Sequence, residues 1–267
     1  GYATERHIVF RIAEKSDELL ENPAGFWAEK LGLSQDEVEV LMKDQKKFQN
    51  LLRNKLMKRG GVAYVQPDAG TFPTVDTFHA IVKGAGAIPC STWLDGLSEG
   101  EQAMERLLSL LMEKGVRALN IVPDRNWNIK NPDLKAIKVK ALYQVVHLAN
   151  ELGLPVLVGT EMNSPGQRWV DDFDVPELEP VKDSFIRGAN TLYGHTRMER
   201  LWEMGATSDW AEKNFPDWRT RFEFYEKMGR LIPPGWTQQR VSGWVGPNLT
   251  PPEVEDEITK RLRENDE

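Results

Sequence analysis

The stretch Pro155-Val156-Leu157-Val158-Gly159-Thr160-Glu161-Met162-Asn163 decides how this chain is read. Its apolar run is short and continuous, does not alternate with polar residues, and is bounded by Pro and Gly. A strand buried on both faces has that pattern, and such strands belong to parallel sheets covered by helices. A rigid strand ending at Gly159 would carry the carboxylate of Glu161 out at its C-terminal end. Upstream, Asn131-Pro132 caps a helix over 132–152, with Pro at the first helical position and Gly153 as the stop. Before it, Val116–Val122 is a second apolar strand.

The same alternation continues outward. A capping box, Ser98 to Glu101, opens a helix that ends at Gly115. Ala87–Cys90 predicts another strand, and residues 75–83 a helix before Gly84. Val62–Pro67 predicts the first strand of the series. Downstream we expect a helix over 177–187, a strand at Asn190–Tyr193 and a helix over 197–204. Strands alternating with helices imply a parallel sheet with right-handed crossovers. The fold class expected is therefore α/β, a (β/α) repeat of TIM-barrel type. Four or five units are fewer than the roughly eight strands that close a barrel. An incomplete barrel, an open doubly wound sheet, and strands hidden in the N-terminal part are the alternatives. The missing initiator Met favours first strands upstream of Gly1.

The flanks differ from this core. Residues 1–60 read as helical, with a capping box at Ser34-Gln35-Asp36-Glu37 and a helix over 35–58 whose late part is basic. That basic part is either a solvated face or a phosphate-attracting one. Residues 206–267 read as a helical extension: a helix from Asp209 to Met228, a Pro-, Gly- and Trp-rich loop, and a last helix capped by Thr250. The expected division is 1–60, 61–205 and 206–267.

Composition limits the function. A formal net charge of −7 argues against a nucleic-acid or membrane-surface protein, which needs clustered Lys and Arg. The lone Cys90 permits no internal disulfide and fits a reducing, cytoplasmic compartment. No apolar run is long enough for a membrane span. Gly-x-Gly-x-x-Gly, a P-loop lysine motif and a Gly-x-Ser-x-Gly elbow are all absent, so nucleotide cofactors and a serine triad have no support.

In a parallel α/β fold the chemistry sits at the C-terminal strand ends. Those positions hold Trp93 and Asp95; Asp124, Arg125 and Asn126; and Glu161, Asn163, Gln167 and Arg168. So many polar side chains at one end of a sheet suggest a small polar substrate. Glu161 could ligate a metal or act as general base; its competing roles are a helix cap or an ion pair with Arg168. Asp124 and Arg125 could orient a substrate or brace their own loop. Trp93, Trp127 and Trp169 could wall a sugar ring or fill loop packing. His195 could ligate a metal or cap a helix.

At Gly159-Thr160-Glu161-Met162-Asn163 the sequence resembles the PHP (polymerase and histidinol phosphatase) family of metal-dependent phosphoesterases, which are amidohydrolase-like barrels. In that family a strand ends in Gly-x-Glu and the carboxylate ligates metal. The resemblance extends over residues 61–196 through Ala87-Ile88-Pro89, Asn120–Asp124 and Gly194-His195. It implies a distorted barrel, a divalent metal (Zn, Mn or Mg) and hydrolysis of a phosphorylated small molecule. Glu161 would be a metal ligand and His195 a second. The family's opening His-x-His and late Asp-x-His are absent here, so the remaining ligands lie upstream of Gly1 or are lost. The function expected is a metal-dependent hydrolase with Asp124, Glu161 and Arg125 as catalytic groups. A sugar isomerase or epimerase on a TIM barrel and a non-catalytic binding relative are the alternatives, and homo-oligomerisation is compatible with each.

Overall fold

The computed structural model describes residues 3–162 and 168–265. The chain forms two compact units, 1–73 and 74–267. The boundary lies well past residue 60, and residues 206–267 belong with the sheet instead of forming a separate extension.

The first unit is helical: α1 (Glu5–Leu19), α2 (Pro23–Leu31), α3 (Gln35–Lys43) and α4 (Gln45–Leu52), the last running into a π-helical turn, Arg53–Met57. Helix 35–58 of the sequence reading is thus two helices. Asp44 separates them, its side chain accepting from the Lys47 N–H to cap α4. The Ser34–Glu37 capping box is present. Val9, Trp27, Leu31, Val38, Phe48 and Leu52 form the core. Part of the basic run is neutralised, by Arg53 on Glu5 at 2.6 Å and Lys47 on Asp44 at 2.8 Å.

The second unit opens with α5 (Val75–Gly84) and holds three parallel strands, β1 (Cys90–Trp93), β2 (Ala118–Ile121) and β3 (Val156–Val158), in the order β1-β2-β3. The crossover between β1 and β2 contains α6 (Glu99–Gln102) and α7 (Met104–Glu113). Between β2 and β3 lie α8 (Asp124–Trp127) and α9 (Pro132–Glu151). Then come α10 (Lys182–Trp202), α11 (Asp209–Asn214), α12 (Trp218–Leu231), α13 (Gln238–Val241) and α14 (Pro251–Asn265). The sheet is open, which corrects the expected TIM barrel.

Two of the expected strands are not strands. Val62–Pro67 is turn and irregular chain, with Val62 and Val65 almost fully exposed, so its β-type composition finds no partner. Asn190–Tyr193 lies inside α10. Its flanking glycines, Gly188 and Gly194, are contact surfaces and not turns. A Cβ on Gly188 would stand 1.9 Å from the Val156 carbonyl oxygen, and one on Gly194 would stand 1.9 Å from that of Tyr225. A Cβ on Gly229 of α12 would in turn meet the Asn190 oxygen at 2.0 Å, so α10 and α12 interlock antiparallel, backbone to backbone.

The Gly188 contact also ends the sheet at β3. Leu119 N–H donates to Pro155 O and Gly159 N–H to Ile121 O, so Val156 and Val158 turn their main-chain groups to the free edge of β3. Helix α10 covers that edge at Val156. Trp93, Leu119, Ile121, Leu142, Val145, Val156 and Phe185 form the core around the sheet. A second core, including Met198, Trp210, Phe222, Tyr225, Met228 and Ile258, joins α10 to the C-terminal helices. The helix expected over 209–228 is broken at Phe215-Pro216-Asp217, where Asp217 caps α12. No helix among the described residues is long and apolar enough to cross a membrane.

Candidate functional site

Three loops meet beyond the C-terminal ends of the strands, and specific side chains join them. Asn126 of α8 is fully buried, and its Nδ2 donates to Leu94 O at 3.1 Å and Val122 O at 3.2 Å. Lys138 of α9 is also buried. Its Nζ donates to Asp95 Oδ2 at 2.9 Å and lies 3.4 Å from the Arg125 carbonyl oxygen. Together they fasten the loop after β1 to the loop after β2. Arg125 reaches the loop after β3, with Nη1 2.9 Å from Glu161 Oε2.

The two ion pairs differ physically. Lys138 and Asp95 are mostly out of water, so breaking the pair would strand a buried charge. Arg125 and Glu161 are each about one-third exposed, where a pair adds on the order of 0–1 kcal/mol to stability. That surface pair is a better candidate for handling a ligand than for holding the fold.

Asp171 completes the arrangement. It is 5% exposed, and its Oδ2 accepts the Asp124 backbone N–H at 3.0 Å. Burial raises its pKa above the ordinary aspartate value; the Asp124 N–H works against that, the Asp124 carboxylate adds to it, and Arg168 opposes it. Asp124 Oδ1 accepts from Asn128 Nδ2 at 3.0 Å. The Arg168 guanidinium lies 5.7 Å from the Trp127 ring centroid and bonds Asp172 at 3.2 Å. Asn126 Oδ1 and Trp127 Nε1 are buried with no hydrogen-bond partner among the described residues. Each such group costs about 1–3 kcal/mol, and the fold carries both beside Asp124.

The sequence candidates therefore separate. Asp124 and Arg168 act on Asp171, and Arg125 meets Glu161. Glu161 pairs with Arg125 and not with Arg168. Trp93 is 1% exposed and packs in the sheet core, so it walls no sugar; Trp169 is exposed. Asp95 and Asn126 are internal struts and not substrate contacts. Asn163 and Gln167 lie outside the described residues. His195 belongs to the α10–α12 core: its Nδ1 accepts the Ala206 N–H at 2.9 Å, and the ring also bonds the Gly86 backbone. Burial pushes its pKa down to about 4, so it stays neutral.

The donor set does not fit the implied metal. His195 is committed to main-chain groups, Glu161 is held by Arg125, and no three His, Cys, Asp or Glu among the described residues gather as a metal-binding group.

Two residues escaped the sequence reading. Lys138 could have been found, because it lies on the buried stripe of α9 with Leu142, Val145 and Ala149, a place where lysine needs a partner. Asp171 follows Trp169-Val170 in a loop, and no periodicity marks it. Comparison with family models, with curated proteins and with solved structures finds no match to the chain.

Proposed function

We propose that the chain is a hydrolase acting on small polar, anionic molecules, phosphate esters first among them, with Asp171 and Asp124 as its acid–base pair. One observation carries this reading: a buried aspartate with a raised pKa stands against a second aspartate at the C-terminal end of a parallel sheet. A carboxyl group whose environment raises its pKa can serve as the acid while a second carboxylate serves as the base. The Asp124 carboxylate would take a proton from water as the water oxygen bonds to the phosphorus or acyl carbon of the ester. The ester bond to the leaving oxygen breaks, and that oxygen takes the Asp171 proton. Exchange with solvent then moves the proton off Asp124 and restores that on Asp171. Arg125 and Arg168 would face the anionic group. The lone Cys90 fits a reducing compartment.

A panel of phosphate monoesters, phosphodiesters and carboxylic esters, turned over by the full chain, tests the proposal. Asp171→Asn keeps an oxygen to accept the Asp124 N–H and removes the proton donor. It should lower kcat by about 10²–10⁴. The wild-type rate should fall as pH rises through the raised Asp171 pKa, and this alkaline limb should vanish in the variant. Background-level turnover of every ester, or an Asp171→Asn variant as fast as wild type, would sink the proposal.

A further inference from the structure

A second polar site lies at the opposite end of β3 from Glu161. A cleft of about 180 Å³ opens there between the end of α9, the start of β3, and helices α10 and α12. Two arginines line it. Arg187 Nη2 lies 3.1 Å from Asn150 Oδ1 and 3.3 Å from Ser184 Oγ, and Asn150 Nδ2 bonds the same Ser184 Oγ at 2.9 Å. Arg219 Nη2 donates to the Glu151 carbonyl at 2.6 Å. The two guanidinium groups thus rest on consecutive residues, 150 and 151.

The turn after α9 accommodates this. Gly153 has φ +72°, and a Cβ there would stand 3.4 Å from Arg219 Cζ. Glycine makes the turn and leaves the arginine its place. Each guanidinium uses only Nη2 on the protein among the described residues. A guanidinium carries five N–H donors and keeps its charge at any working pH, so each retains donors for a ligand. The Asn150–Ser184–Arg187 bonds hold one arginine before any ligand arrives, which lowers the ordering cost of binding. Two acids also line the cleft: Glu226 is held by Arg230 at 2.8 Å, and Glu223 is exposed.

We propose that this cleft binds a small oxyanion, the carboxylate or phosphate group of a metabolite-sized molecule, between Arg187 and Arg219. The space equals about six water molecules, which suits one such group and its immediate substituent. The site is separate from the Asp124–Asp171 pair and does not depend on it.

Calorimetric titration of the full chain with inorganic phosphate and with succinate, at ionic strength matched by chloride, tests the assignment. At least one anion should bind saturably at one site per chain, and the tighter of the two identifies the group as phosphoryl or carboxyl. Arg187→Gln and Arg219→Ala should each weaken binding at least tenfold, with circular dichroism confirming the fold. Asp171→Asn should leave binding unchanged. Glu223→Gln removes a negative charge from the cleft wall without touching either arginine, so it should bind as tightly as wild type or tighter. No saturable uptake beyond chloride, full binding by a folded Arg187→Gln variant, or weakened binding by a folded Glu223→Gln variant would each overturn the proposal.

Discussion

Replacing Gly188 by alanine tests how the sheet is terminated. A Cβ there would lie 1.9 Å from Val156 O, 2.6 Å from Val156 C and 3.1 Å from Val156 N. The first distance is more than 1 Å inside the 3.0 Å below which Cβ atoms are essentially never found. All three neighbours are backbone, so no side chain can swing aside, and α10 must withdraw from β3. Forced repacking of this kind costs about 1–3 kcal/mol, and a backbone clash belongs at the upper end or above it. Against that, alanine in a helix interior gains about 1 kcal/mol over glycine. The net expectation is a loss of about 2 kcal/mol, and so a Tm lowered by roughly 4–8 °C for a unit of this size. Gly84→Ala is the control, because a Cβ at Gly84 meets nothing and only the helix gain remains. Urea unfolding followed by tryptophan fluorescence suits the measurement, since eight of the nine tryptophans lie beyond residue 73. A Gly188→Ala variant as stable as wild type, or more so, would refute the close approach of α10 to Val156.

Three further outcomes follow from the same structure. Lys138→Met strands Asp95 without its partner and should cost about 3–5 kcal/mol by urea denaturation, while Lys138→Met with Asp95→Leu should recover most of the loss; equal losses in both would show the pair to be unimportant. His195 is neutral in the fold with its pKa depressed to about 4, so its stabilising share is complete above pH 6.5 and disappears as pH falls toward 4. Wild type should therefore lose up to about 3 kcal/mol relative to His195→Gln over that window, a difference that unfolding curves at several pH values would detect or exclude. Arg125→Ala and Glu161→Gln should each change stability by less than about 1 kcal/mol, with a double-mutant cycle giving a coupling no larger; a larger coupling would mean the pair braces the fold and does not await a ligand.

How far the sequence could be read depends on whether the deciding interaction was local. The strands at 118–121 and 156–158, the long helix between them and the caps at Ser34, Ser98 and Asn131 were legible, because apolar runs, Pro at a first helical position and Ser-x-x-Glu spacing act within one or two turns. The polar mouth was legible in the same way, since Asp124, Arg125 and Glu161 follow their strands directly. Which carboxylate meets which cation was not: Arg125 lies 36 positions from Glu161 and Asp171 lies 47 from Asp124, separations no local pattern encodes. The barrel expectation failed for a related reason. Extending the sheet past β3 requires a strand to pair with Val156 and Val158, and in this fold α10 lies against Val156 through Gly188. In sequence that glycine lies just before a short β-type run, Asn190–Tyr193. In three dimensions it is the notch that admits a helix where another strand would otherwise add to β3, and the residues that suggested a fifth strand are part of the helix that lies there.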